Sequence, residues 1–348
     1  MELHPTELVS ALAKDIPAVA GLAGCVAAPC GAGQLADSYR IAIRYDTPGH
    51  GRLNSVFLKL PPTDEKSAAT AHRIDAFERE SYFYTGLAPH LQINTPQFLG
   101  HVTLPESRTG LVLSDLSAHT RALDQLTDGT TAQVESAMSQ LAKLQAPYWD
   151  DVASAGGEGR FYNRTAAHIE SLAQRYEQSW HRFGNVIGAG LDHDQRQLIE
   201  RFGASCIAWA ATIEGPRTLT HQDLRLDNLL WGAQAGAFLI DWQTLAFTSP
   251  AWDPAFLLGT ALPPEQRRAV ERGLLARHVD ALAAHGIGGW TMETAWTEHR
   301  RLTGSVILAM IAALAFVVPT TRGFDMFTSL IDRGTRQALD LDLDDFLD

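Results

Sequence analysis

The chain has few cysteines, and their number and spacing argue against two kinds of site. Three cysteines occur in 348 residues, Cys25, Cys30 and Cys206, and none stands in a C-x-x-C pair. An odd number of thiols argues against a disulfide framework, and the lack of histidines at ligand spacing argues against a zinc site. We therefore expect reduced thiols in a cytoplasmic protein.

The chain also lacks an excess of positive charge and a recognisable targeting segment. Its 28 Lys and Arg residues are outnumbered by 40 Asp and Glu residues, which gives a net charge of −12. Such acidity disfavours a surface that binds nucleic acid by neutralising phosphates. The first residues have neither the basic nor the apolar part of a signal peptide, so none is expected.

Charged residues are missing from one stretch, Leu302 to Pro319, which is rich in Ala, Ile, Leu and Val. It falls slightly short of the roughly 20 residues that a membrane-spanning helix needs, and it contains Gly304 and Ser305. We interpret it as a buried helix in the core of a large lobe and expect no membrane contact.

The order of strand and helix patterns predicts an α+β fold of two lobes. A small antiparallel-sheet lobe with one helix would cover residues 1–116, and a larger, mainly helical lobe would cover 117–348. Within the second, a strand-rich interval at 217–241 interrupts the helices. The predicted strands of the first lobe are 38–45, 54–60, 97–104 and 110–113 with a helix at 65–87, and the later predicted helices are 134–145, 163–182, 193–214, 263–285, 293–317 and 324–338.

The segment from His221 to Asn228 carries the sharpest functional pattern. It reads His-Gln-Asp-Leu-Arg-Leu-Asp-Asn and fits H-x-D-x-x-x-x-N, and an apolar run ending in Asp241 follows it. In phosphoryl transfer from ATP, Asp223 would orient an acceptor hydroxyl and take its proton, and Asn228 and Asp241 would bind Mg²⁺ through oxygen atoms. The plainer alternative is that these residues form turns and caps, which favour the same types.

With these motifs the chain resembles the aminoglycoside phosphotransferase and choline kinase superfamily, and in particular its ecdysteroid-kinase-like branch. Members share an H-G-D-x-x-x-x-N loop, an I-D-[FW]-[EQ] segment and a later Asp that opens a helix, which Asp253 matches here. Gln243, where protein kinases have glycine, points away from protein kinases. Gln222 departs from the common Gly of the loop.

The resemblance implies nucleotide-binding roles in the first lobe. Lys59, on an apolar strand, would contact the ATP phosphates, and Glu80, in a segment similar to F-x-x-E-x-x-F-Y, would hold it by an ion pair. Alternatively, Lys59 is a strand-edge lysine and Glu80 lies on a solvated helix face. Gly31 and Gly33 lie where a phosphate-covering loop would be, although a plain hairpin turn explains them equally well.

A second nucleotide contact is implied by Ser114, Asp115 and Leu116. They resemble the family's L-x-x-E-D-L hinge, in which backbone groups meet adenine, with Ser114 in place of the usual Glu. This departure leaves a side-chain role at Ser114 open and does not affect the backbone contacts.

Together these residues predict an ATP- and Mg²⁺-dependent phosphotransferase that acts on a hydroxyl of a small metabolite or antibiotic. Two alternatives stay open: a kinase-like protein that binds a nucleotide or metabolite without turnover, and an aminoglycoside resistance kinase, which the acidic charge favours. Retention of Asp223 argues against a pure binder, because binding alone does not require a base. The sequence indicates neither the acceptor nor the oligomeric state.

Overall fold

The chain forms two compact units, each assembled from separate parts of the sequence. The structure is a computed structural model that describes residues 4–31, 35–47, 50–162, 166–316 and 320–347. The first unit contains Met1–His90, Thr95–Thr120 and Ile240–Thr244, and the second contains Leu91–Asn94, Arg121–Leu239 and Leu245–Asp348. The predicted lobes, 1–116 for nucleotide binding and 117–348 for the helical part, were defined by function, and that division stays a prediction.

A five-stranded antiparallel sheet is the frame of the first unit. Its strands are β1 (Gly24–Pro29), β2 (Asp37–Arg44), β3 (Ser55–Leu60), β4 (Phe98–Leu104) and β5 (Arg108–Ser114). They follow the spatial order β1-β2-β3-β5-β4. The predicted hairpin is confirmed, because β2 and β3 pair with Asp37 opposite Leu60. Alternation along the strands sends Ile41, Val56 and Leu58 into an apolar core.

Helices of the first unit are α1 (Pro5–Asp15), α2 (Glu65–Arg73) and α3 (Ala76–Tyr82). The prediction of one helix over 65–87 is wrong, because the chain breaks at Asp75, whose φ is 48°. Aspartate tolerates this left-handed backbone better than most residues. The guanidinium of Arg79 donates a hydrogen bond to the carbonyl of Ile74, just after α2, and so stabilises the break.

Helices dominate the second unit. They are α4 (Thr131–Gln145), α5 (Ala166–Ile187), α6 (His193–Ala211), α7 (Trp252–Ala261), α8 (Pro264–Ala284), α9 (Met292–Leu302), α10 (Gly304–Ala313) and α11 (Thr321–Asp340). The short strands are β6 (Thr120–Ala122), β7 (Thr218–Thr220), β8 (Leu229–Gly232), β9 (Gly236–Leu239) and β10 (Ala246–Thr248). Strands β7 and β10 form an antiparallel ribbon, with Thr220 opposite Ala246.

The pattern predicted one helix over 293–317, but the chain is divided at Thr303 into α9 and α10, and the uncharged stretch from Leu302 onward contains all of α10. Gly304 opens α10, and a Cβ there would lie 2.6 Å from the ring of Phe202. By length and composition alone Met292–Phe316 could cross a membrane, and 67% of its most apolar window is buried inside the protein. Residues 317–319 lie outside the described ranges.

Candidate active site

The loop from His221 to Asn228 begins where β7 ends, and a buried carboxylate fixes its first turn. Asp253, in α7, accepts hydrogen bonds from the backbone N–H groups of His221 (2.7 Å) and Gln222 (2.9 Å). Gln222 has a φ of 71°, in the region that favours glycine. Its buried side-chain amide donates to the hydroxyl of Thr220 at 3.3 Å. These hydrogen bonds hold a glutamine where the resemblance predicts glycine.

Burial raises the pKa of the Asp253 carboxyl, while His221 and the two backbone N–H donors lower it. A buried carboxylate is costly to desolvate, so its position is explained by the donors that it satisfies. Asp253 therefore acts on the loop as a backbone anchor.

Asp223 presents a partly exposed carboxylate within this loop, with 29% of its side chain accessible. The side-chain nitrogen of Asn228 donates to the backbone carbonyl of Asp223 at 2.7 Å and to its Oδ2 at 2.9 Å. Because the amide nitrogen is used in this way, the amide oxygen of Asn228 is the atom that could bind a metal ion. The structure thus brings the two predicted catalytic residues into direct contact.

Arg225 braces the same loop through two carboxylates. Its Nε lies 3.2 Å from Oδ1 of Asp223, and its Nη1 lies 2.9 Å from Oδ2 of Asp227. In the structure Arg225 and Asp227 both belong to a charged network that orients Asp223.

Gln125 is a support that sequence reasoning missed. Its backbone N–H donates to Asp227 at 2.9 Å, and its side chain accepts from the N–H of Leu226 and donates to the carbonyl of Thr260. The residue is completely buried. No sequence signal pointed to it, because it stands about a hundred positions before the loop in an ordinary connecting segment.

In the first unit, Lys59 is buried on β3 between two carboxylates. Its Nζ lies 2.6 Å from Oε2 of Glu80 and 3.0 Å from Oδ1 of Asp241. Burial by itself lowers the pKa of the Lys59 ammonium, but Asp241 and Glu80 outweigh this effect and raise the pKa above its ordinary value. The group is therefore a fixed cation, and the structure joins Asp241 to the predicted Lys59–Glu80 pair.

The two residues after Asp241 attach its segment to the rest of the first unit. The ring of Trp242 stacks on Phe83, with centroids 3.7 Å apart and planes 11° apart. The carbonyl of Gln243 accepts from Nη1 of Arg79 at 3.1 Å. Asp241 itself has a φ of 68°, a left-handed conformation that aspartate tolerates. Stacking and hydrogen bonding thus hold its carboxylate beside the lysine.

The side chain of Asp115, one of the predicted hinge residues, is used within the protein. Its carboxylate accepts from Nε of Arg40 at 2.6 Å, from the hydroxyl of Ser55 at 2.5 Å and from the N–H of Ser117 at 2.9 Å. Burial raises the pKa of Asp115, but these donors prevail and lower it to about 2. Asp115 therefore fixes the turn after β5.

The neighbouring hinge residues are engaged in the same turn. The hydroxyl of Ser114 accepts from the N–H of Gln97 at 2.9 Å, and the carbonyl of Leu116 accepts from the N–H of Thr120 at 3.0 Å. The serine that departs from the family pattern thus ties β5 to the residues before β4. Contacts between this backbone and adenine stay a prediction.

The predicted phosphate loop is described only at its edges. Gly31 follows β1 with a φ of 83°, and the N–H of Cys30 donates to the carbonyl of Ser38 at 2.9 Å. Gly33 lies outside the described residues. A phosphate contact by this loop stays a prediction.

Asn228 and Asp241 have the donor chemistry that Mg²⁺ prefers. Within the described ranges, no group of three or more His, Cys, Asp and Glu side chains could hold a metal ion. Mg²⁺ commonly uses one or two protein ligands and completes its shell with water and substrate phosphates. The amide oxygen of Asn228 and the carboxylate of Asp241 are each ligands of this kind, and a magnesium site that they share stays a prediction.

Comparison with known families gives one match over most of the chain. A family model described as a phosphotransferase enzyme family matches residues 27–285. This range includes Lys59, Glu80, the loop from His221 to Asn228, and Asp253. No curated protein sequence matches the chain.

Solved structures of three kinases are similar along nearly the whole chain. Choline kinase from Cryptosporidium parvum Iowa II is 11% identical and covers 98% of both chains with a TM-score of 0.61. Plasmodium vivax ethanolamine kinase is 10% identical, with a TM-score of 0.55 over 92% of this chain and 83% of that one. The GDP complex of an aminoglycoside 2′-phosphotransferase is 15% identical, with a TM-score of 0.55 over 99% of both chains.

At these identities the similarity establishes the fold alone. The predicted class, an α+β chain of protein-kinase-like fold with a small antiparallel sheet and a larger helical part, is confirmed. The ecdysteroid-kinase-like branch stays a prediction.

Proposed function

Since the chain belongs to the phosphotransferase enzyme family, we propose that it transfers the terminal phosphate of ATP, with Mg²⁺, to a hydroxyl of a small molecule. The observation that carries the proposal is the partly exposed carboxylate of Asp223, oriented by Asn228 and Arg225 on a loop that buried Asp253 anchors. The similar structures are named as choline, ethanolamine and aminoglycoside kinases, which supports a hydroxylated metabolite or antibiotic as the acceptor class.

In the proposed reaction, the acceptor oxygen forms a bond to the terminal phosphorus of ATP. The bond between that phosphorus and the bridging oxygen breaks, and ADP leaves with the electron pair. Asp223 orients the acceptor hydroxyl and takes its proton. Asn228 and Arg225 hold the carboxylate in place, so little reorientation is needed when the acceptor binds.

Lys59 supplies positive charge for the phosphates of ATP. Glu80 keeps its ammonium in place, and burial limits screening by water. Asn228 and Asp241 would hold Mg²⁺ through their oxygen atoms. When bound, Mg²⁺ neutralises charge on the phosphate oxygens during transfer.

The test is turnover of a substrate panel by the wild type and by Asp223→Asn. The purified protein is incubated with Mg²⁺, ATP and hydroxylated metabolites, sterols, choline or aminoglycosides, and release of ADP is followed. We expect one class to be turned over and Asp223→Asn to lower the rate at least about 100-fold, because a positioned general base contributes that much or more. Asp280→Asn, on the exposed face of α8, is the matched control and should keep the wild-type rate.

Two outcomes contradict parts of the proposal. Full turnover by Asp223→Asn would exclude this residue as the base. A wild type that binds ATP in a filter assay and turns over no member of the panel would support a nucleotide-binding protein without catalysis.

A further inference from the structure

The side chain of Gln243 is buried in the first unit, where it meets a carboxylate that the proposed reaction uses. Its Nε2 donates a hydrogen bond to Oε2 of Glu80 at 3.4 Å, and 6% of the residue is exposed. An ionised carboxylate only accepts hydrogen bonds, so the amide nitrogen is the end of Gln243 that faces Glu80. The side chain therefore acts on Glu80 as a donor.

Gln243 is itself held by α3, the helix that carries Glu80. Its carbonyl accepts from Nη1 of Arg79 at 3.1 Å, and Arg79 is the residue immediately before Glu80. The ring of the preceding residue, Trp242, stacks on Phe83 just after α3. Two successive residues of α3 thus contact Gln243, one at its backbone and one at its side chain. These contacts orient the amide towards the carboxylate before any ligand binds.

Glu80 is the more deeply buried of the two counterions of Lys59. Both of its oxygens accept from the ammonium of Lys59, Oε1 at 2.8 Å and Oε2 at 2.6 Å. Its side chain is 1% accessible, whereas that of Asp241 is 31% accessible. A buried carboxylate depends strongly on each donor, because water does not replace a hydrogen bond that is lost. The amide of Gln243 supplies one such donor.

The two counterions of Lys59 have different tasks in the proposed reaction. The carboxylate of Asp241 would bind Mg²⁺, which leaves Glu80 to hold the ammonium while it contacts the phosphates of ATP. The orientation of Glu80 then determines where Lys59 points. Gln243 contacts Glu80 from the segment that also carries Asp241, so it can keep this orientation when Asp241 is engaged elsewhere.

We propose that Gln243 is a positioning residue for the phosphates of ATP: its amide keeps the carboxylate of Glu80 on Lys59, and the ammonium of Lys59 thereby stays directed at the phosphates. This role rests on the proposed function, in which Lys59 contacts those phosphates. It concerns the phosphate part of the nucleotide and not the adenosine part. Loss of the amide should therefore weaken the binding of ATP and leave the binding of adenosine unchanged.

Calorimetric titration of ATP and of adenosine, with Mg²⁺ and without an acceptor, tests this role independently of turnover. Gln243→Met removes the donor at similar volume and should weaken ATP about fivefold, an effect in the range for one hydrogen bond. The affinity for adenosine should not change, whereas general damage to the fold would lower both affinities. Gln92→Met, at an exposed position before β4, is the matched control and should alter neither affinity.

Two further variants show whether Gln243 acts through the carboxylate. When Gln243→Met is added to Glu80→Gln, the ATP affinity should change less than about twofold, because the contact between the two side chains is already altered. Gln243→Asn withdraws the amide by one methylene group and should also weaken ATP without affecting adenosine. It provides the same test where Gln243→Met fails to fold.

The titrations separate this role from the proposed function. Equal ATP affinities of the wild type and Gln243→Met, or an equal loss for ATP and adenosine, would overturn the role of Gln243 while phosphoryl transfer stands. A wild type that binds ATP and turns over no acceptor would contradict phosphoryl transfer alone, and the same titrations would still decide the role of Gln243. A wild type that does not bind ATP would overturn both.

Discussion

Lys59 and Asp223 are both charged groups on which the proposed reaction depends, and they are held by different physical means. Lys59 is fixed by Glu80, 21 positions later, and by Asp241, 182 positions later. Asp223 is fixed by Arg225 and Asn228, two and five positions later. The first arrangement relies on opposite charges buried together, and the second on a short loop with hydrogen bonds inside it.

The two arrangements differ in which substitution destabilises them most. A buried ion pair is costly when one partner is lost, because the remaining charge has neither water nor a counterion. A local loop tolerates the loss of one exposed contact better, and its weak point is the buried carboxylate that anchors its backbone.

The largest effect is expected for Lys59→Met, which leaves Glu80 buried without a cation. We expect the free energy of unfolding at neutral pH to fall by about 3 kcal/mol, as for other broken buried pairs. Urea denaturation measures it, and Lys66→Met, at an exposed position of α2, should change it by less than about 0.5 kcal/mol.

A double variant separates charge from packing. Adding Glu80→Gln to Lys59→Met removes the isolated charge and should recover part of the lost stability. If both single variants and the double variant cost the same, the ion pair does not fix this region.

A smaller effect is expected for Asp253→Ala, which leaves the N–H groups of His221 and Gln222 without their buried acceptor. The cost should be about 2 kcal/mol, because the loss of two hydrogen bonds is partly offset by no longer burying a carboxylate. Turnover should fall at the same time, since the loop that carries Asp223 loses its anchor.

Thermal unfolding and release of ADP measure the two effects of Asp253→Ala. Asp280→Ala, on the exposed face of α8, is the control for loss of an aspartate. Full turnover in Asp253→Ala would show that the loop keeps its conformation without this residue.

The smallest effect is expected from mild acid acting on the second unit. His278 is buried against Gln145, and burial lowers its pKa to about 4. The histidine of the unfolded chain, with its ordinary pKa of about 6.5, then binds a proton more readily than buried His278. The contribution of neutral His278 to the free energy of unfolding is therefore fully present above about pH 6.5, and it is lost as the pH falls towards 4. Lowering the pH from 7 to 5.5 should cost about 1 kcal/mol.

The variant His278→Gln, which does not titrate, should lose this pH dependence in urea titrations across the same range. Asp115 in the first unit provides the contrast. Because its pKa is about 2, the stability that its ionised carboxylate contributes is kept until the pH falls below about 4. An equal slope in the wild type and His278→Gln would exclude this histidine as the origin.

The features predicted best from the sequence are those that depend on residues close together along the chain. The strand at 38–45 is observed at Asp37–Arg44, because alternation of buried and exposed residues is a local pattern. In the same way, the motif placed Asp223 and Asn228 on one loop. Gln125 and Arg79 could not be found, because the groups that they hold are 101 and 164 positions away. The break at Asp75 was missed because it interrupts a continuous helical pattern.

The membership of Ile240–Thr244 in the first unit has a consequence for biosynthesis. A ribosome completes all 119 residues of Arg121–Leu239 before this segment of the first unit emerges. Until then, the nascent chain has the five-stranded sheet without the tryptophan that covers Phe83 and without one of the two counterions of Lys59. The first unit therefore matures late in translation, although nearly all of its residues are made first.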